Sequence, residues 1–220
     1  MQGPIAELTK NTLLVLGALL PIVNPLGSAP IFLALTQGLS GAARSELARI
    51  VALDGLALIV ASIFTGTHIL NFFGISLPVV QVGGGLVVLA TGWNLLRAPD
   101  DRESPAEKPC NEMDYKRQAF YPLTLPLTVG PGSISVAITV GANHKEGSEW
   151  AWPLIAGMLI GSVLIALSIY ICYRFAERLA NALGEAAMNV MVRLSSFILV
   201  CIGVQILWNG LRTLLRSVLH

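Results

Sequence analysis

The chain has 220 residues, 54% of them hydrophobic and 12% charged, with a formal net charge of +1 at pH 7. Soluble domains carry about 25% charged residues, so this composition, with a mean hydropathy of +0.70, excludes a soluble fold and points to an all-α protein dissolved in a bilayer. The near-zero charge and the lack of any basic run give no footing for a nucleic-acid partner.

A helix needs about 20 mostly apolar residues to cross a membrane. Six runs satisfy this, at 11–35, 49–73, 76–96, 119–142, 151–173 and 191–211. The first is too long for the apolar core of a signal peptide and is expected to be a retained span. It contains LLPIVNPLGSAPIF, with Pro21, Pro25, Gly27 and Pro30 around Asn24. Each interior proline removes a backbone donor at a cost on the order of 3 kcal/mol, so a break near Asn24 is predicted. The second span carries Asp54. A carboxylate inside a span reads either as a proton- or cation-coupling group or as an interfacial acid paired with Arg49. His68 reads as interfacial. In the third span Gln81 precedes Gly83-Gly84-Gly85, which suits close helix contact and is no phosphate loop. Residues 98–117 are charged and proline-containing and read as a solvated connector. The fourth span contains PLTLPLTVGPGSIS, with Gly130-Pro131-Gly132 near its middle. Trp93, Trp150, Trp152 and Trp208 lie near span ends, as aromatic-belt residues do.

The two proline-rich stretches match without a gap: Pro21 with Pro126, Gly27 with Gly132, Ser28 with Ser133. Trp93-Asn94 and Arg97 match Trp208-Asn209 and Arg212 in the same way. Each half holds an odd number of spans, so the second copy enters from the opposite side. The expectation is one membrane domain, 1–220, built as a 3+3 inverted repeat of 1–97 and 118–220, a plan common among secondary transporters. Of the 14 Lys and Arg, ten (Arg44, Arg49, Arg97, Arg102, Lys108, Lys116, Arg117, Arg174, Arg178 and Arg193) fall on the side of the connector and four (Lys10, Lys145, Arg212 and Arg216) on the other. The positive-inside rule then makes the connector side cytoplasmic and puts both termini outside a plasma (inner) membrane.

Non-helical backbone survives in hydrocarbon only when buried in protein or lining a wet cavity, so the two breaks should face one another inside the protein. A half-helix that starts there offers free N–H groups and partial positive charge; one that ends there offers carbonyls. Ser28 and Ser133 are expected as N-caps. The N–H groups suit a carboxylate, and the carbonyls near Val23, Asn24, Thr128 and Val129 suit an ammonium or other cation. The candidate substrate site is therefore Asn24, Pro25, Gly27, Ser28, Thr128, Gly130, Gly132 and Ser133, with Asp54 as coupling candidate. Cys110, Cys172 and Cys201 match no metal or disulfide pattern, and no cofactor is expected. No enzyme activity is expected either, because Ser133 in G-P-G-S has no base within reach. A non-transporting structural or regulatory membrane protein is the competing reading.

NPLGSAPIF in the first span, FGISLP before the third and PLTLPLTVGPGSIS in the fourth resemble the MarC/SnatA family over nearly the whole chain. The resemblance implies six spans, membership of the LysE-like transporters and movement of small neutral amino acids such as glycine, alanine or threonine, with export in some members. The family's motif positions fall here on Asn24, Pro25, Gly27, Gly130, Pro131 and Gly132. Gln81 stands where the family often has arginine, whereas Arg193 keeps the corresponding basic residue of the sixth span.

Overall fold

A computed structural model describes residues 4–36, 38–97, 119–142 and 151–218, and the described residues are almost entirely helical. Five helices are long and apolar enough to span a membrane, and a bent helix pair makes a sixth span. The first span is α1 (Pro4–Val23) followed by α2 (Pro25–Leu35). The second is α3 (Gly41–Phe72) and the third α4 (Leu77–Arg97). The fourth is α5 (Ala119–Thr128) followed by α6 (Pro131–Ala142), and the fifth is α7 (Ala151–Arg174). The sixth lies within α8 (Ala176–Val218). The connector 98–117 and Trp150 lie outside the described residues.

Helix ends follow local chemistry. The Ser40 side chain caps α3 by accepting from the Ala43 N–H at 3.3 Å. The FGISLP motif is the turn between the second and third spans. Gly74 there adopts φ 67°, and Ile75 N–H donates back to the Leu70 carbonyl at 2.9 Å, closing α3. Residues 174–190, read from the sequence as a loop, are helical apart from Phe175 and a kink at Gly184. Gly184 has φ 72° and ψ 165°, a region open essentially only to glycine. The membrane-competent part of α8 runs Val192–Ser217.

The packing pattern exchanges the two halves. The first span packs on the fifth and the fourth on the second; the third packs on the fourth and the sixth on the first. The second also meets the fifth, the third the sixth, and the first the fourth. The α4–α8 seam carries the relation to single residues. A Cβ on Gly85 would lie 2.6 Å from Leu207 N, and one on Gly92 would lie 2.8 Å from Val200 N. The offset that separates Trp93 from Trp208 converts the first of these pairs into the second. Such an exchange is the geometry that a two-fold relation between the halves produces. Of the glycine run, Gly85 packs on Leu207 in this seam and Gly84 on Ser135 of α6, whereas Gly83 meets nothing within 4 Å. The largest buried side chains include Leu19, Phe32, Leu47, Ile59, Ile169 and Tyr173, which fill the space between α1, α2, α3 and α7. Leu53, Phe64, Leu167 and Phe197 point outward, as lipid contact requires.

Candidate functional site: a cavity between two broken spans

The first break is one residue long. Asn24 adopts φ 44°, a left-handed conformation that asparagine tolerates, and Pro25 follows at the first helical position, where its missing N–H costs nothing. The helix is interrupted but not parted. Asn24 N–H donates to the Leu20 carbonyl at 2.9 Å, and the Asn24 carbonyl accepts from Ser28 N–H at 3.0 Å. Pro4–Leu33 remains a single span of 30 residues. The Asn24 side chain then turns back, and its Oδ1 accepts from Gly27 N–H at 3.2 Å. The N-cap of α2 is therefore Asn24, which corrects the expectation for Ser28. Ser28 is the fourth helical residue and its N–H is already bonded. The Asn24 carbonyl, expected to be free for a cation, is taken by that same bond.

The second break is wider. Tyr121 (φ −128°, ψ 123°) and Leu125 (φ −110°, ψ 128°) leave helical geometry immediately before Pro122 and Pro126, as pre-proline residues are forced to do. The turns of α5 are accordingly loose: Val129 N–H reaches the Thr124 carbonyl at 2.8 Å, and the Thr128 hydroxyl reaches the Leu123 carbonyl at 2.6 Å. The chain then bends by 68° into α6. Gly130 stands at the N-cap and has no side chain to offer. The first bond of α6 runs from Ile134 N–H to the Gly130 carbonyl at 3.1 Å. Ser133 is the third helical residue, not the cap. The apparent alignment of the two serines hides a one-residue slip, because proline opens α2 at Pro25 but opens α6 at Pro131 rather than at the matching Gly130.

Between the breaks lies a cavity of about 510 Å³, walled by the first, third, fourth and sixth spans. Asn24, Gly27, Ser28, Thr128, Gly130, Gly132 and Ser133 all line it. Pro25 is buried but does not reach it, and neither does Asp54. Gly55, next to Asp54, packs on Val129, with a would-be Cβ 3.2 Å from Val129 Cγ2. Asp54 thus sits level with the second break, half-buried, and makes no ion pair with Arg49. Thr91 on α4, Ser196 on α8 and an apolar wall that includes Ile31, Val87, Val88 and Leu199 complete the lining. These residues carry no motif, and only the packing of α4 and α8 brings them in. Tyr173 is a further residue that sequence reasoning passed over. Fully buried and stacked on Phe32 at 4.3 Å, it joins its hydroxyl to that of Thr128 at 2.8 Å, with the Ser28 hydroxyl beside it. Thr128 spends its one proton on the Leu123 carbonyl, so Tyr173 is the donor in that pair.

Among the described residues no Asp, Glu, Lys, Arg or His lines the cavity, and no cluster of three or more His, Cys, Asp or Glu is fit for a metal. Its outlying wall residues Leu35, Leu95, Pro122 and Val192 belong to helix ends on the connector side. Towards the termini three contacts hold the walls together. Ser135 Oγ donates to the Val80 carbonyl at 2.9 Å, Gly132 packs on Val88, and the glycine seam presses α4 on α8. On the connector side Arg44 ties α3 to α8 through Glu177 at 2.6 Å and donates to the Thr36 and Leu39 carbonyls at 3.4 Å.

The profile of the MarC family integral membrane proteins matches residues 10–215. The chain belongs to this family. The inner membrane proteins MarC of Salmonella paratyphi B and Salmonella typhimurium are each 30% identical to it over 218 residues, covering 96% of this chain and 98% of theirs. The inner membrane protein MarC of Escherichia coli is 29% identical over 217 residues, with the same coverage. No solved structure matches the chain. The geometry above shows what the proline stretches build in this MarC family chain: two dissimilar breaks that meet at one chamber, which no charged side chain lines among the described residues.

Proposed function

We propose that this MarC family protein is a secondary transporter of small neutral amino acids such as glycine, alanine or threonine, working as an exporter in an inner membrane. One observation carries the reading: a cavity that no charged side chain lines among the described residues lies where both broken spans meet. A cationic solute would need a fixed carboxylate there, since burying a lone charge is costly, and a simple anion would find only helix-end N–H groups and hydroxyls. A neutral zwitterion is matched by helix-end dipoles and hydroxyls instead. Alternating access would present this site to one face at a time, with parting of the α4–α8 seam exposing it towards the termini. The distribution of Lys and Arg supports a cytoplasmic connector and external termini. Asp54, a carboxylate beside the second break but outside the cavity, is the group placed to couple a proton or sodium ion.

Purified protein in proteoliposomes loaded with labelled alanine, glycine or threonine tests this. Time-dependent flux is expected, and it should vanish in Asn24→Leu and Gly132→Leu proteins that still fold. Absence of flux for all three solutes in the wild type would overturn transport and leave a structural or regulatory role.

A further inference from the structure

We propose that the cavity has a single carboxylate subsite, formed by the first turn of α6 with Ser133, and that the first break has no equivalent. The proposal rests on the transport reading for its ligand and on the following geometry for its location. The opening turn of a helix leaves its N–H groups without intrahelical partners. At α2 the third and fourth N–H groups are taken by the cap residue, because Asn24 Oδ1 accepts from the Gly27 N–H and the Asn24 carbonyl from the Ser28 N–H. At α6 the cap is a glycine, and the Ser133 N–H reaches no carbonyl. The 12 residues of α6 give its start the partial positive charge of a full helix dipole.

The hydroxyl inventory points to the same place. Thr128 donates to the Leu123 carbonyl, Thr91 to the Val87 carbonyl at 2.8 Å, and Ser196 to the Val192 carbonyl at 2.6 Å. The Ser28 hydroxyl lies beside that of Tyr173. Ser133 lines the cavity, is 2% exposed, and makes no hydrogen bond through its hydroxyl among the described residues. A buried polar group left in that state costs about 1–3 kcal/mol, which a ligand acceptor would recover. A carboxylate placed there accepts from the Ser133 hydroxyl and from the open N–H groups. The same placement directs the rest of an amino acid towards Asn24, whose amide NH₂ is also unspent, and towards the apolar wall of Val87, Val88 and Leu199.

The test uses the full-length protein and three probes: L-alanine, L-alaninamide, which lacks the carboxylate, and propionate, which lacks the amine. Thermal stabilisation of the detergent-purified protein reads binding, and counterflow of labelled alanine in proteoliposomes reads transport. Propionate and alanine are expected to stabilise the wild type, and alaninamide is not. Ser133→Ala should remove the propionate shift and raise the alanine concentration for half-maximal counterflow about tenfold, the usual worth of a hydrogen bond to a charged group. Ser28→Ala should have at least a fivefold smaller effect on that concentration. Stabilisation by alaninamide equal to that by alanine, a propionate shift unchanged in Ser133→Ala, or no propionate shift in the wild type would each overturn the subsite. Loss of counterflow alongside a Ser133-dependent propionate shift would instead overturn the transport reading and leave the subsite standing.

Discussion

The two breaks start from nearly the same letters and finish as different objects. At the first, an asparagine in left-handed conformation folds its side chain over the next turn, and the span continues almost straight. At the second, two prolines loosen the approach, a glycine sits where the asparagine's capping role would fall, and the chain turns by 68°. The difference teaches that a duplicated helix break divides its labour. One copy caps its own turn with the Asn24 side chain; the other leaves donors unspent, and it is there that we propose a ligand is held. One residue of slip between the copies is enough, because it decides whether the cap has a side chain.

Five substitutions strain this contrast, in descending order of expected effect. Gly132→Leu drives a side chain into Val88 and the cavity, costing on the order of 2 kcal/mol by overpacking and reducing proteoliposome flux to background. Gly130→Asn gives the second break the cap of the first. With a would-be Cβ 3.2 Å from the Pro126 carbonyl oxygen, it should change thermal stability by no more than about a few tenths of a kcal/mol while lowering alanine flux roughly tenfold, because the new side chain occupies the N–H groups a carboxylate would use. Equal or greater flux in that variant would erase the functional contrast between the breaks. Asn24→Ala removes the cap and puts a non-glycine, non-asparagine residue at φ 44°; denaturation should report a loss of about 1–2 kcal/mol. Tyr173→Phe keeps the stack on Phe32 but strips the hydroxyl shared with Thr128, for a loss of about 1 kcal/mol on the same measurement. Glu177→Gln is the mildest. Its bond to Arg44 is largely exposed on the glutamate side, at 60%, so a change below about 0.5 kcal/mol is expected.

Much of the architecture was legible in the sequence because its signals are local. Apolar runs of membrane length mark the spans, and Pro21–Pro30 and Pro122–Gly132 mark the interruptions without reference to any partner. The repeat was legible because the matching residues are glycine, proline and tryptophan, whose positions are hard to vary. Where the reading missed, the deciding quantity was not local. Whether Ser28 or Asn24 caps α2 depends on which residue leaves helical φ, a choice between adjacent letters. Tyr173, Thr91 and Ser196 reach the site only through the packing of α7, α4 and α8. The extension of α8 back to Ala176 was hidden because its first turns are polar, and span-finding by hydropathy ends where apolarity does.

The uncharged lining has a consequence for how such a protein would be powered. In the transport we propose, a chamber that no charged side chain lines among the described residues leaves any electrochemical force to be felt elsewhere, and Asp54 lies behind the wall instead of in it. On that proposal chamber and engine are separable parts, and neutralising the aspartate is expected to leave a facilitator that merely levels concentrations across the bilayer, stripped of its drive but not of its taste.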